Sequence, residues 1–387
     1  MKKLFALLFC AIMALSVCSC GKNEEAAKDV DTNPVNNDIK KEREKNPMPE
    51  AAAPDACGEN LTWRFDENTE TLFIEGKGDM WDFVYWDEDA QDFSIKDTPW
   101  LSLVYDIKNI YIGDDVTSVG DYAFSYCADL ASVKIPDSVT YIGDVAFYSC
   151  ESLTSIEISD NVTTIGDGAF FFCESLTSIE IPDSVTSVGD EVFFYCSALA
   201  NIKVSSENKN YCDTDGVLFS KDKKTIICYP EGKTDTKYVI PDNVTTIGDY
   251  AFSSCSALTS IEMPDSLTTI GNGAFFYCES LENIEIPESV TTIGDGAFYS
   301  CASLKSIKIP ESLTTIPEGA FYQCASLTSI EIPESITTIG NEAFYSCESL
   351  ESIRFAGTKE QWDALGVEPK ALNNAEVRFG EQKDSKD

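Results

Sequence analysis

The stretch IPESVTTIGDGAFYSCASL, residues 286–304, decides the architecture, because the chain keeps restating it. Twenty-three residues earlier stands MPDSLTTIGNGAFFYCESL, and twenty-three later IPESLTTIPEGAFYQCASL. Aligned copies give the frame L-x-x-I-x-I-P-[DE]-[SN]-[VL]-T-x-I-G-x-x-A-F-x-x-C. Its Ala-Phe pairs fall at 123/124, 146/147, 169/170, 251/252, 274/275, 297/298, 320/321 and 343/344, with Val192-Phe193 in one copy. A period fixed at this length describes a stack of coils that contact only their neighbours.

The frame reads as structure. Ile284 and Ile286 alternate with Glu285, so one face of a short strand looks inward. Pro287 ends strand pairing. Val290 and Ile293 start a second apolar edge, and Gly294 permits a turn. Ala297, Phe298 and Cys301 stand at i, i+1 and i+4, the spacing that shares the inner face of one helical turn. No coil has a core of its own, so stacking is obligatory. The expected fold is an α/β repeat solenoid, a right-handed stack of short parallel strands with helical turns.

The period breaks once, between Phe193 and Phe252, where the spacing is 59. An inserted segment or long repeat is expected over 205–237, in which DGVLFSKDKKTIICYPEGK reads as a hairpin turning at Lys221–Lys223. Ahead of the repeats, LTWRF and TLFIEG flank DENTE as a further hairpin, and residues 57–106 read as an N-terminal β cap hiding the first apolar edge. The coils occupy 107–355, and 356–387 form a C-terminal cap and tail, with Thr358 and Gln361 spaced as a capping box and Ala375–Phe379 as a last strand.

The L-x-x-I-x-I segment followed by Ser or Asn, with I-P and A-F-x-x-C in a 23-residue frame, resembles the Treponema pallidum-type leucine-rich repeat of the BspA-like bacterial surface proteins. The resemblance covers 107 to about 355. CGENLTW, the inserted hairpin and GTKEQWDALG also look like that family's caps and long repeat. Departures are Val192 for Ala, Ser159 for Pro and Pro317 for Gly.

The chain start, MKKLFALLFCAIMALSVCSC, has the layout of a secretory signal peptide, too short for a comfortable membrane span. V-C-S-C-G resembles the lipobox of bacterial lipoproteins. That resemblance implies removal of residues 1–19, acylation of Cys20 and a membrane held only through the lipid; the alternative is a plain secretory signal. Residues 20–56 are polar and Pro/Asn/Ala-rich, and read as a tether spanning roughly 30–40 Å.

Composition excludes whole classes of function. Acids number 66 against 28 bases in 387 residues, a formal charge of −38, which repels nucleic acid and anionic lipid. Histidine is absent, which removes catalytic triads, Cys-His pairs and His-bearing zinc sites. No catalytic constellation stands out, because every acid belongs to a repeating position. The expectation is a non-enzyme with no cofactor.

Nine of the fifteen cysteines (Cys127, Cys150, Cys173, Cys196, Cys255, Cys278, Cys301, Cys324, Cys347) recur at one place in the frame. Stacked neighbours lie about 5 Å apart with parallel Cβ vectors, which suits buried free thiols better than disulfides. Without C-x-x-C spacing or histidine they make no metal array. Cys212 and Cys228 lie off this ladder and form a candidate disulfide if the inserted hairpin joins them. The acidic column Asp137, Asp160, Asp183, Asp242, Asp265, Glu288, Glu311 and Glu334 lacks the ligand spacing of a calcium loop and reads as a solvated face.

Tyr148, Phe171, Phe194, Phe276, Tyr299, Tyr322 and Tyr345 each follow an Ala-Phe pair. Rotated about 100° from the inward Phe, they make a candidate binding stripe, or else they stack and close the core edge. One coil adds about 5 Å of surface, so the array presents roughly 50 Å of continuous face. The expectation is a monomeric, lipid-anchored protein of the outer membrane or cell surface that binds extracellular protein. Host matrix proteins or other bacteria are implied by the family resemblance alone; a glycan-binding or envelope-organising lipoprotein is the alternative.

Overall fold

The computed structural model describes residues 46–49, 52–87, 92–95, 97–367, 372 and 375–380. The leader, Cys20 and most of the tether lie outside these residues. The coils stack as a solenoid with two columns of parallel strands. In the first column, Ile307 of Ser306–Lys308 stands in register with Ile330 of Ser329–Ile332, and Lys308 with Glu331. In the second, Thr315–Ile316 pairs with Thr338–Ile339. Alternation does the sorting: Ile307, Ile330 and Ile332 are buried while Lys308 and Glu331 face water.

The third side of each coil differs from the expected helical turn. Gly296 and Ser300 take φ of +59° and +54°, a left-handed residue every fourth position that no helix tolerates. The N–H groups of Gly296, Phe298 and Ser300 donate instead to the carbonyls of Glu318, Ala320 and Tyr322 in the next coil, at 2.8, 2.9 and 2.7 Å. Residues between them make tight turns within the coil, such as Tyr299 N to Gly296 O at 2.9 Å. Ala297, Phe298 and Cys301 are all fully buried, so the expected inner face exists without a helix. Among the described residues the α-helix is confined to Lys359–Ala364.

Two ladders run along the stack, one of buried rings and one of mostly half-buried corner carboxylates. The Phe298 ring stacks on Phe275 at 5.3 Å and on Phe321 at 5.5 Å. At the glycine corner, Asp144 Oδ1 accepts the N–H of Asp167, and Asp121 Oδ1 that of Asp144, both at 2.9 Å. The corner has no room for a side chain, since a Cβ on Gly294 would lie 2.4 Å from the Asn272 nitrogen. Where Pro317 replaces this glycine, the second column is interrupted between Thr292–Ile293 and Thr315–Ile316. Proline has no N–H, whereas Gly294 donates to Ile270 and Gly340 to Ile316.

Leu61–Asp66 and Thr71–Gly76 form an antiparallel hairpin, and Thr71–Gly76 continues in parallel with Asn109–Ile112, which starts the first column. Trp100 extends the ring ladder outward: it stacks on Phe124 at 5.9 Å and its Nε1 donates to the Ala123 carbonyl at 3.0 Å. At the other end Thr358 and Gln361 form the capping box, Trp362 packs on Phe355 at 5.3 Å, and Glu376–Phe379 adds the last parallel strand.

The insertion forms three antiparallel strands, Tyr211–Thr214, Val217–Ser220 and Thr225–Cys228, with a turn at 221–224. Its last strand then pairs in parallel with Thr246–Ile247 and opens the second column of the C-terminal coils. Tyr229 joins the ring ladder by stacking on Phe252 at 5.2 Å. Between strand Ser187–Val188 and strand Thr225–Cys228 the second column is discontinuous.

Candidate functional site

The outward side chains of the first strand column form an exposed face along the coils. Most of its strands place a polar residue at the same point, Lys134, Glu157, Glu180, Lys203, Glu262, Glu285, Lys308, Glu331 and Arg354, all exposed, whereas strand Lys237–Val239 places exposed Val239 there. Parallel register sets opposite charges side by side. Lys203 Nζ lies 2.8 Å from Glu180, Arg354 3.3 Å from Glu331 and Lys134 3.6 Å from Glu157. Such exposed pairs add about 0–1 kcal/mol each to stability, so their pattern matters more as a charge code than as a brace.

Two features mark this face. A groove of about 750 Å³, lined by Ser132, Lys134, Ser155, Glu157, Asp160 and Glu180, opens on it. It coincides with a gap in the first column between Ser155–Glu157 and Ser178–Ile181, at the coil where Ser159 stands in place of proline. Nearer the N-terminus, the Arg64 guanidinium lies 3.6 Å over the Phe73 ring, and Phe73 packs 5.7 Å from Tyr111, itself 46% exposed. Sequence reading passed over Arg64, Phe73 and Tyr111. The available signal was their place between inward residues, Leu72 and Ile74 about Phe73, and Ile110 and Ile112 about Tyr111.

The aromatic stripe is a correction. Tyr148, Phe171, Phe194, Phe276 and Tyr299 are buried, Tyr322 is half-buried, and Tyr345, in the last of these coils, is 45% exposed. The rings stack on one another, Tyr148 on Phe171 at 5.5 Å, Phe276 on Tyr299 at 4.9 Å and Tyr299 on Tyr322 at 4.5 Å. Non-helical turns rotate this position inward, so the stripe closes the core edge rather than facing solvent.

Cys212 and Cys228 are also corrected: both thiols are free. They sit on the two outer strands of the insertion, with Val217–Ser220 between them, and Cys212 faces Phe219 while Cys228 faces Leu218. Two strand spacings come to about 9–10 Å, beyond disulfide reach. Cys212 Sγ instead donates to the Ser220 carbonyl at 3.3 Å.

The ladder cysteines are buried free thiols, and from Cys150 onward each donates to the carbonyl of a ring-ladder residue one coil back, as Cys278 does to Phe252 at 3.0 Å. Burial pushes the thiols of Cys127, Cys278 and Cys347 up to about 12, which keeps them protonated and inert at neutral pH. The acidic column from Asp137 to Glu334 is exposed throughout. Among the described residues, no group of three or more His, Cys, Asp or Glu is placed to hold a metal ion.

With this geometry in place, the relatives become informative. Comparison with curated proteins returned no match. Among solved structures, a leucine-rich repeat protein from Eubacterium ventriosum is 29% identical, with 77% of this chain and 83% of that one covered and a TM-score of 0.67. A leucine rich cell surface protein from Faecalibacterium prausnitzii is 29% identical over 80% of this chain and 97% of that one, TM-score 0.58. The pneumococcal vaccine antigen PcpA shares the fold at 19% identity, over 85% of this chain and 98% of that one, TM-score 0.56. Residues 102–215 and 231–362, more than half the chain, match the BspA type leucine rich repeat region in six copies. The chain therefore belongs to the BspA-type leucine-rich-repeat family.

Proposed function

We propose that this is an exported, lipid-anchored protein of the cell surface whose solenoid binds an extracellular macromolecule, a protein in the first instance, through the outward face of the first strand column. The carrying observation is that face itself: a rigid, mixed-charge strip running from Tyr111 past the groove at Glu157 and Glu180 to Arg354. Rigid strands pre-organise the polar groups of a binding surface and lower the entropy lost on association. Lys2, Lys3, the apolar run and the lipobox ending at Cys20 support export and anchoring. The Faecalibacterium relative described as a cell surface protein supports the location. An adhesive role toward host matrix proteins or other cells follows from the family alone.

Protease treatment of intact cells, followed with an antibody and a periplasmic control, tests the location. Loss of the signal supports surface display; full protection overturns it. For binding, immobilised matrix proteins and polysaccharides are probed with the mature chain and with a variant carrying Glu157→Lys, Glu180→Lys and Glu285→Lys. Protein binding abolished by the triple variant supports the strand face as the site. Binding to polysaccharide alone favours a glycan-binding envelope protein.

A further inference from the structure

The irregular repeat builds a cavity. In regular coils the donors two before, at, and two after the ladder Phe bond to the next coil, as Gly168, Phe170 and Phe172 do to Asp190, Val192 and Phe194. The equivalent donors Glu191, Phe193 and Tyr195 meet no backbone carbonyl, as at the last coil, where Glu342, Phe344 and Ser346 meet none. The insertion thus gives the array an internal end. Behind it lies a cavity of about 350 Å³, at the lower end of the range of small-molecule sites.

Part of its wall is apolar, formed by Val192, Phe193, Phe194, Ile227, Ile247 and Ile270, and the rest is polar. The next coil carries Ser253 and Ser254 at the stripe positions; Phe194 packs on its Tyr250 at 5.7 Å and on Phe276 at 5.8 Å, and Tyr195 on Tyr277 at 6.5 Å. Glu191, Glu231, Asp190 and Asp249 line the space, and neither lysine nor arginine does. Glu191 opens the turn and hydrogen-bonds the Tyr250 hydroxyl. Glu231 lies near Tyr195, which closes that turn, and its Oε2 is buried with no hydrogen-bond partner.

We infer that this cavity binds a small linear aliphatic amine with an ammonium group at each end, one end received by Glu191 and the other by Glu231, with the carbon chain along the apolar wall. Different acids influence the two carboxyls. Acids acting on Glu191 are Asp190, Asp167 and Asp249, whereas Glu174 acts on Glu231. A buried carboxylate without a cation is costly, and a charge-assisted contact relieves that cost. Burial, reinforced by these neighbouring acids, pushes both carboxyls up to about 8. The empty site is therefore largely protonated at neutral pH, and binding a diammonium releases protons.

Calorimetry on the folded mature chain tests this with 1,5-diaminopentane, n-pentylamine and lysine. The diamine is expected to bind one per chain and at least tenfold more tightly than the monoamine. Lysine binding more tightly than the diamine would show the open backbone donors also reading a carboxylate. Glu191→Gln and Glu231→Gln should each weaken diamine binding tenfold or more with the melting transition intact, while exposed Glu348→Gln changes nothing. Affinity should climb between pH 6 and 8, up to tenfold per pH unit for each carboxyl, then level off. Absent binding, several salt-sensitive equivalents per chain, equal affinity for monoamine and diamine, or equal losses in Glu348→Gln and Glu191→Gln would each overturn the assignment.

Discussion

The Sγ of Cys301 donates a 3.2 Å hydrogen bond to the carbonyl of Phe275, one coil back. Cys324 repeats the contact to Phe298 and Cys347 to Phe321. Cysteine suits this position because it is small enough for a crowded interior and still carries one weak donor. Cys301→Ala removes both the sulfur and that donor, and should cost about 1–2 kcal/mol in a denaturant titration. Cys301→Ser, which keeps a donor, should fall between the two; a serine variant worse than alanine would refute the hydrogen-bonding role.

Alkaline pH should undo the fold through the same ladder. Unfolded thiols titrate near 8.5, while burial pushes folded Cys127, Cys278 and Cys347 up to about 12. Above pH 8.5 the unfolded chain loses protons that the native chain keeps, so stability falls as pH rises. Each thiol contributes about 1.4 kcal/mol per pH unit in that window. Melting curves from pH 8 to 11 should show a steep decline that softens in a variant with Cys278→Ala and Cys301→Ala.

The corner carboxylates make a separable test. Asp144→Ala leaves the N–H of Asp167 without its acceptor and should cost about 1–3 kcal/mol. Asp144→Asn should be nearly neutral, because Asn272 already fills the equivalent place and accepts the Asp295 N–H at 2.9 Å.

Stripe rings should divide by position rather than by type. Phe171→Ala removes a buried ring packed on Tyr148 and Phe194 and should cost about 3–5 kcal/mol. Tyr345→Ser, at the exposed end, should cost well under 1 kcal/mol. Equal losses on thermal unfolding would contradict the closed stacking.

At the irregular repeat, Glu191→Gln should raise the melting temperature at pH 8 and leave it nearly unchanged at pH 4. The folded carboxyl is held up to about 8 against an unfolded value near 4.3. Its stabilising contribution is complete below pH 4.3 and is lost as pH climbs toward 8, and glutamine does not titrate.

Much of this molecule is legible in its sequence, for an identifiable reason. When one phrase recurs at a fixed spacing, a single local reading of I-x-I, P, G and A-F-x-x-C serves every coil. The inserted hairpin and capping box were legible because their turn chemistry is local. Of the two readings of the stripe, stacking at the core edge is the one the packing shows, whereas the solvent-facing one assumed a helix between Gly296 and Ser300. Two left-handed residues redirect the backbone donors to the next coil and turn Tyr299 inward. The Cys212–Cys228 pairing failed because sequence counts residues, while strand order decides which strand lies between them.

The sequence alone determined the solenoid, its period, the inward Ile, Phe and Cys positions and the place where regularity breaks, since these depend on side-chain alternation and spacing. Tertiary structure decided what the break creates. Only stacking brings the open backbone edge at Glu191, the insertion's Glu231 and the coil at Tyr250 around one cavity, because coil-to-coil contacts join residues that no local pattern connects.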